Sequence, residues 1–346
     1  MAINKVNGIL FTDISKVQNV DDTDIDKING QEAPEAGETH TPLWVGTGRT
    51  GYIMYSSDAL SWSEYRSPPG ETGPYWDIAF GKDDNGNPRW IIATNAAADR
   101  ELRYSADPTG GDSSWSSIDF PGTADKARTV EYGANGTWIA GSRHNNVFRS
   151  TNGGDSWTEI TAVASGAGTM LRVATDGAGT WIAGGTGTSV LKSTDDGLNW
   201  YVSATNVGQI NGVEYNNGVW FIASNTTTSY RATTIADNTA TDTWSAVSGI
   251  SEALWAICHI TGDTWMVANK GNVPYLSTDN CASWSSVTSP SNGQIMDLAS
   301  DGTTIVTGGK NSKMYTSTDN GSSWTLRFTS QAADILVVDY NKVKPF

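Results

Sequence analysis

Five short loops put a cation on a chain that is otherwise strongly acidic: GTGRTG with Arg49, AADRE with Arg100, GSRHNN with Arg143 and His144, ANKGN with Lys270, and GGKNS with Lys310. The formal net charge is −15, so a recurring cation is a local exception. Guanidinium groups bind carboxylates and phosphates through paired hydrogen bonds. A ring of such loops would hold an anionic sugar or the acidic surface of a partner; ordinary solvated turns carry the same residues. The acidic balance argues against nucleic acid, which needs a basic face.

Other chemistry is harder to assemble. A glycosidase needs two carboxylates about 5–9.5 Å apart. The loops offer Glu64, Asp119, Glu159 and Glu252, none in a distinguishing context. The three histidines are His40, His144 and His259, and no H-E-x-x-H, G-x-S-x-G or phosphate-loop string occurs. Cys258 and Cys281 are the only cysteines and form no C-x-x-C pair, so free thiols are expected rather than a disulfide framework or metal site. No catalytic residue, metal or cofactor is assigned. The N-terminus lacks a basic-then-apolar leader, and no apolar run approaches the ~18–20 residues of a membrane span. The reading is a protein made in the cytoplasm without membrane insertion.

The elements that would position these loops are repeated. The strings STNGGDSW (Ser150–Trp157), STDDGLNW (Ser193–Trp200), STDNCASW (Ser277–Trp284) and STDNGSSW (Ser317–Trp324) are near copies. SSDALSW (Ser56–Trp62) is one residue short, SADPTGGDSSW (Ser105–Trp115) carries an insertion, and Arg231–Trp244 keeps only the tryptophan. The closing residues are Trp62, Trp115, Trp157, Trp200, Trp244, Trp284 and Trp324, 40 to 53 residues apart. Upstream of each lies a short aromatic and β-branched run ending in small residues, such as TWIAGS (137–142) or TWIAGG (180–185), as a buried strand reads. A repeat of about 40–45 residues with four strands is the signature of propeller blades. In each box an Asp or Asn (Asp58, Asp107, Asn152, Asp195, Asp279, Asp319) accepts the turn's unpaired N–H groups. The Gly supplies a positive φ, and the Trp packs between sheets. In the sixth box Cys281 stands where Gly is expected; either that turn differs or it tolerates a strained residue.

With these strings in view, the chain resembles the Asp-box (BNR-type) propellers, whose S-x-D-x-G-x-x-W motif occurs in sialidases, xyloglucanase-type hydrolases, sortilin-type receptors and photosystem-assembly propellers. The resemblance covers residues 43–341 and implies a fold rather than an activity. The Arg-Ile-Pro string of sialidases is absent ahead of the first blade. The fold expected is all-β: a seven-bladed β-propeller over residues 42–346. Its first unit begins at strand B, and DILVVDYNK (334–342) is a strand A with no blade after it. The C-terminal strand should therefore complete the first blade and leave no open edge.

Residues 1–41 form a separate arm and tether. INKVNGILFTD, ISKVQNVDDTD and IDKINGQEAPE repeat every 11 residues. Such a period is compatible with a helical supercoil, but two Asn-Gly pairs and β-branched residues argue for extended, turn-rich pieces. The strings resemble the N-terminal segments of tailed-bacteriophage structural proteins. That resemblance implies a particle anchor, with Ile3, Val6, Ile14, Val17, Ile25 and Ile28 inserting into another virion protein. The alternative is an arm that folds back on its own propeller. The expectation is thus a virion appendage that binds a neighbouring protein or host surface polysaccharide. Its rivals are a glycan-cleaving hydrolase on the same scaffold and an assembly-factor-like protein-binding propeller.

Overall fold

The computed structural model describes residues 5–6, 9–10, 27–28, 31–32, 41–67, 73–95, 102–121, 126–133, 135–161, 163–237, 241–250, 252–290 and 293–341. The chain divides into two units, Met1–Thr41 and Pro42–Phe346. In the first, Lys5–Val6 pairs antiparallel with Ile9–Leu10, and Lys27–Ile28 with Gln31–Glu32. Each Asn-Gly dipeptide stands between two paired strands, the chemistry a two-residue hairpin favours. Of the anchor positions, Val6 and Ile28 lie in these strands; Ile3, Ile14, Val17 and Ile25 lie outside the described residues.

The second unit is a seven-bladed β-propeller: seven four-stranded antiparallel sheets, with no α-helix among the described residues. Strands run A to D from axis to rim. Blade 4 is typical, with A at Met170–Thr175, B at Trp181–Gly185, C at Val190–Ser193 and D at Tyr201–Ala204. Blade 1 takes strand A from the C-terminal end: Ile335–Tyr340 pairs with Trp44–Gly48, joining Tyr340 to Trp44 and Ile335 to Gly48. Leu43 N donates to Asn341 Oδ1 at 2.8 Å and Asn341 N to the Leu43 carbonyl at 3.0 Å. The ring is therefore zipped by its two ends, and the closing strand covers the edge that Trp44–Gly48 would otherwise leave open.

Each strand B is buried from its leading aromatic residue, or Ile305 in blade 7, to its end because it lies inside a blade. Its leading Trp (Trp44, Trp90, Trp138, Trp181, Trp220, Trp265) is at most 3% exposed. Close approach is needed where that ring meets the preceding blade. A Cβ on Gly81 would lie 2.3 Å from Tyr132 and 2.6 Å from Trp138, so only glycine fits there.

The boxes are C–D hairpins held by a shared set of bonds. In blade 7, Ser317 Oγ donates to Asp319 Oδ1 at 2.8 Å and accepts from Gly321 N at 2.8 Å, while Ser323 N donates to Asp319 Oδ1 at 2.9 Å. In blade 3 Asn152 Oδ1 takes the same place, accepting Ser156 N at 3.0 Å. Trp157 and Trp200 donate their indole N–H to the carbonyl of the box glycine. Trp115, Trp157, Trp200 and Trp284 are buried between sheets; Trp62, Trp244 and Trp324 are half-buried. The insertion in blade 2 forms two single 3-10 turns, Pro108–Gly110 and Asp112–Ser114, the first capped by Asp107. Cys281 keeps the box geometry: its φ is +67° and its N–H donates to Ser277 Oγ at 3.0 Å. Of the two alternatives left by the sequence, the turn tolerates the strained residue.

Candidate functional site at the upper mouth of the axial channel

The inner strands of all seven blades line an axial cavity of about 160 Å³. Every strand A shifts register between its first and third residues, as at Ala127/Thr129, Met170/Arg172 and Ile295/Asp297. Such a bulge leaves the second residue out of the ladder. Strand A begins at the same end as the B–C loops, because A and B are antiparallel. The second residues therefore gather at the upper mouth, and the third residues form a ring one step deeper.

The deeper ring holds Asp77, Thr129, Arg172 and Asp297. Asp77 Oδ2 accepts Thr129 Oγ1 at 2.7 Å and Val130 N at 3.1 Å, and Asp297 Oδ2 accepts Val338 N at 3.1 Å. Burial raises the pKa of Asp77 and pushes Asp297 up to about 7, in both cases against the attraction of Arg172. Arg172 attracts both carboxylates without pairing directly with either, and its Nη1 donates to the Leu171 carbonyl at 2.8 Å. The two carboxylates take their hydrogen bonds from within the ring itself.

The upper register is different. Its members are Trp76, Arg128, Leu171, Asn211, Trp255, Met296 and Leu336. Asn211 is satisfied, donating to the Leu254 carbonyl at 2.7 Å and accepting from Gln209 Nε2 at 2.7 Å. The donors of Trp76, Arg128 and Trp255 are not: Trp76 Nε1, Arg128 Nε and Trp255 Nε1 are enclosed without an acceptor, as is Gln294 Nε2 just ahead of blade 7's inner strand. The Arg128 guanidinium lies 3.9 Å from the Trp76 ring centroid, a cation–π stack. Among the described residues it makes no hydrogen bond or ion pair. Burial and the nearby Arg143 bring its pKa down to about 10, and among the described residues no carboxylate pairs with it. Arg49 approaches the same Trp76 ring at 5.9 Å while its Nε donates to Asp334 at 2.8 Å.

The predicted loop cations therefore meet different fates. Arg49 and Arg143 join the Trp76–Arg128 cluster over blades 1 to 3. His144, Lys270 and Lys310 are exposed on the turns of blades 3, 6 and 7, and no ion pair or ring contact ties Lys270 or Lys310 to the cluster. Arg100 lies outside the described residues. The carboxylate candidates are not brought together. Glu64 and Glu159 sit on strand D, at the rim of their blades, and Asp119 follows a strand D. Glu64 is used structurally, accepting Gln331 N at 3.0 Å beside the closing strand; Glu252 accepts from Asn269 Nδ2. No group of three or more His, Cys, Asp or Glu among the described residues could hold a metal ion. Trp76, Arg128 and Trp255 lie not on the loops but at the second place of the inner strands YWDIAF, ARTVEY and LWAICH, and nothing in those strings marks them as one register.

The family model described as photosynthesis system II assembly factor YCF48 matches residues 54–342. The chain belongs to that family. Among solved structures, a YCF48 bound to a D1 peptide is similar at 16% identity, over 84% of this chain and 87% of that one, with a TM-score of 0.56. YCF48 from Cyanidioschyzon merolae is similar at 18% identity, over 73% and 84%, with a TM-score of 0.54. An ancestral GH74 enzyme is similar at 14% identity over 60% of this chain and 31% of that one, with a TM-score of 0.50. At these identities the likeness is one of fold. No curated protein matches the chain. The YCF48 family match begins at residue 54 and leaves the N-terminal arm outside it.

Proposed function

We propose that this propeller is a binding protein of assembly-factor type, which holds an extended, carboxylate-bearing segment of a partner protein across the upper mouth. The observation that carries the reading is Arg128: half-buried, stacked on Trp76, repelled by Arg143 and without an acceptor. A carboxylate would supply the missing charge and two hydrogen bonds at once. Trp76 and Trp255 would add aromatic surface for the segment. The family's solved member with a D1 peptide supports a peptide as ligand. The test is fluorescence anisotropy with labelled acidic peptides ending in a free carboxylate. Arg128→Gln is expected to weaken binding about 10-fold or more, since a hydrogen bond to a charged group is worth about 1.5–3 kcal/mol. Unchanged affinity in that variant would overturn the reading.

A second reading keeps the 11-residue repeats of the arm, whose two Asn-Gly pairs stand between paired strands. On it the arm fastens the propeller to other structural proteins of a phage particle, and the upper mouth meets host surface polysaccharide or a neighbouring virion protein. Deleting residues 1–40 should then abolish incorporation into particles. A truncated chain that still co-purifies with virions, or a full chain absent from them, would sink it.

A further inference from the structure

Blades 3, 4 and 5 place a cation immediately before the first box position: Arg149, Lys192 and Arg231. Arg149 crosses to the box of blade 4, its Nη2 2.6 Å from Asp196 Oδ2 and its Nε donating to the Asp196 carbonyl at 2.6 Å. Lys192 crosses to the outer hairpin of blade 5, 3.0 Å from Asp242 Oδ2. Blade 6 offers Arg231 no such carboxylate. Asn280 stands at the place Asp196 occupies in blade 4, and its amide is spent on Trp265 Nε1 at 3.0 Å and the Asn217 carbonyl at 3.1 Å. Among the described residues Arg231 makes no hydrogen bond or ion pair, and its Nε is enclosed without an acceptor.

Arg231 does have a cavity. About 460 Å³ opens over the blade 5 hairpin, and its described lining includes Arg231 and five hydroxyl-bearing residues, Thr233, Thr234, Thr241, Thr243 and Ser245. Asp242 also lines it, but its charge is matched by Lys192, and both side chains are fully enclosed. A guanidinium with a cluster of hydroxyl residues and, among the described lining residues, no uncompensated carboxylate suits an oxyanion. The volume exceeds that of a bare ion, and the remaining hydroxyls suit a polar body attached to it. We propose that this cavity, separate from the upper mouth, binds the phosphate or sulfate ester of a small hydroxylated molecule, with Arg231 as its charged contact.

Titration calorimetry on the full-length protein tests this with three probes: inorganic phosphate, inorganic sulfate and a hexose phosphate. The hexose phosphate should bind at least several-fold more tightly than either bare ion. Arg231→Gln should weaken it about 10-fold or more, Arg231→Lys should recover part of that loss, and Thr234→Val should cost a smaller factor. Circular dichroism of each variant confirms that the fold is kept. Absence of heat with all three probes would overturn the proposal, as would equal affinity in Arg231→Gln. Binding that survives Arg231→Gln but is lost in Arg128→Gln would place the anion at the upper mouth and overturn it equally.

Discussion

Blades 4 and 5 close their outer hairpins by opposite routes. In blade 4 the turn is local and wet. Asp195 Oδ1 accepts Ser193 Oγ at 2.7 Å and Asn199 N at 3.0 Å, and Oδ2 accepts Asn199 Nδ2 at 2.7 Å. In blade 5 the box string is gone, and Asp242 turns inward instead. It accepts Ala236 N at 2.6 Å and Ser203 Oγ at 2.5 Å, and pairs with Lys192 from the blade before. The first route sums several modest bonds among neighbours in sequence. The second is a buried set that holds only while complete, because each charge alone would be costly to enclose. A box can therefore be erased from the sequence without loss of the blade, provided the preceding blade supplies a counter-ion.

The sharpest way to break this contrast is to remove one member of the buried set. Lys192→Met leaves Asp242 enclosed and unpaired, and should cost about 3–5 kcal/mol in chemical denaturation. Lys192→Met combined with Asp242→Leu should recover most of that loss, since no charge remains to be desolvated. A single variant that costs under about 1 kcal/mol would show that the blade 5 hairpin does not depend on the pair.

The wet route should be weaker and should respond to acid. Asp319→Ala removes the acceptor of the blade 7 turn and should cost about 1–2 kcal/mol, the range for losing a capping carboxylate. The Ser323 hydroxyl and N–H hold the pKa of Asp319 at about 2. For Asp279, burial opposes ionisation, but the hydrogen bonds from Ser283 outweigh it and bring the value to about 2 as well. A folded-state pKa below the unfolded value near 3.8 gives stability that is full above about pH 4 and lost as pH falls through about 2. Denaturation midpoints at pH 5 and pH 2.5 should differ more for the wild type than for Asp319→Ala. Equal differences would show that the carboxylate titrates without linkage to folding.

The same contrast explains what was legible in the sequence. Local solutions repeat, so the boxes and the aromatic strand B strings gave the blade count, and the orphan strand at 334–342 gave the closure. Non-local solutions leave little trace. Asp242 sits in TATDTW with nothing to mark it as Lys192's partner. The upper mouth was half legible. Arg49 and Arg143 stood out as loop cations, but Arg128 and Trp76 reach that mouth only because each inner strand is bulged at the same place. A bulge has no residue signature in these strands, so the meeting of Trp76, Arg128 and Trp255 depends on a register that only the folded ring reveals.

The smallest expected effect comes from replacing the box acid by its amide. Blade 3 already runs on Asn152, whose Oδ1 accepts Ser150 Oγ at 2.9 Å and Ser156 N at 3.0 Å, and whose Nδ2 donates to Ser156 Oγ at 2.9 Å. In blade 7 the matching hydroxyl works the other way, with Ser323 Oγ donating to Asp319 Oδ2 at 2.6 Å. A hydroxyl can reverse that role by rotating. Asp319→Asn should thus rebuild the blade 3 arrangement at a cost of no more than about 0.5 kcal/mol near neutral pH, the difference between a charged and a neutral acceptor. It should also remove this turn's titration, so that the variant loses less stability than the wild type between pH 5 and pH 2.5. At Asp195 the partner is Asn199 Nδ2, which can accept only if its own amide turns over, so Asp195→Asn should cost slightly more than Asp319→Asn. If the two variants lose equally, the side chain at the seventh box position has no part in the turn, and the local route rests on the backbone N–H groups alone.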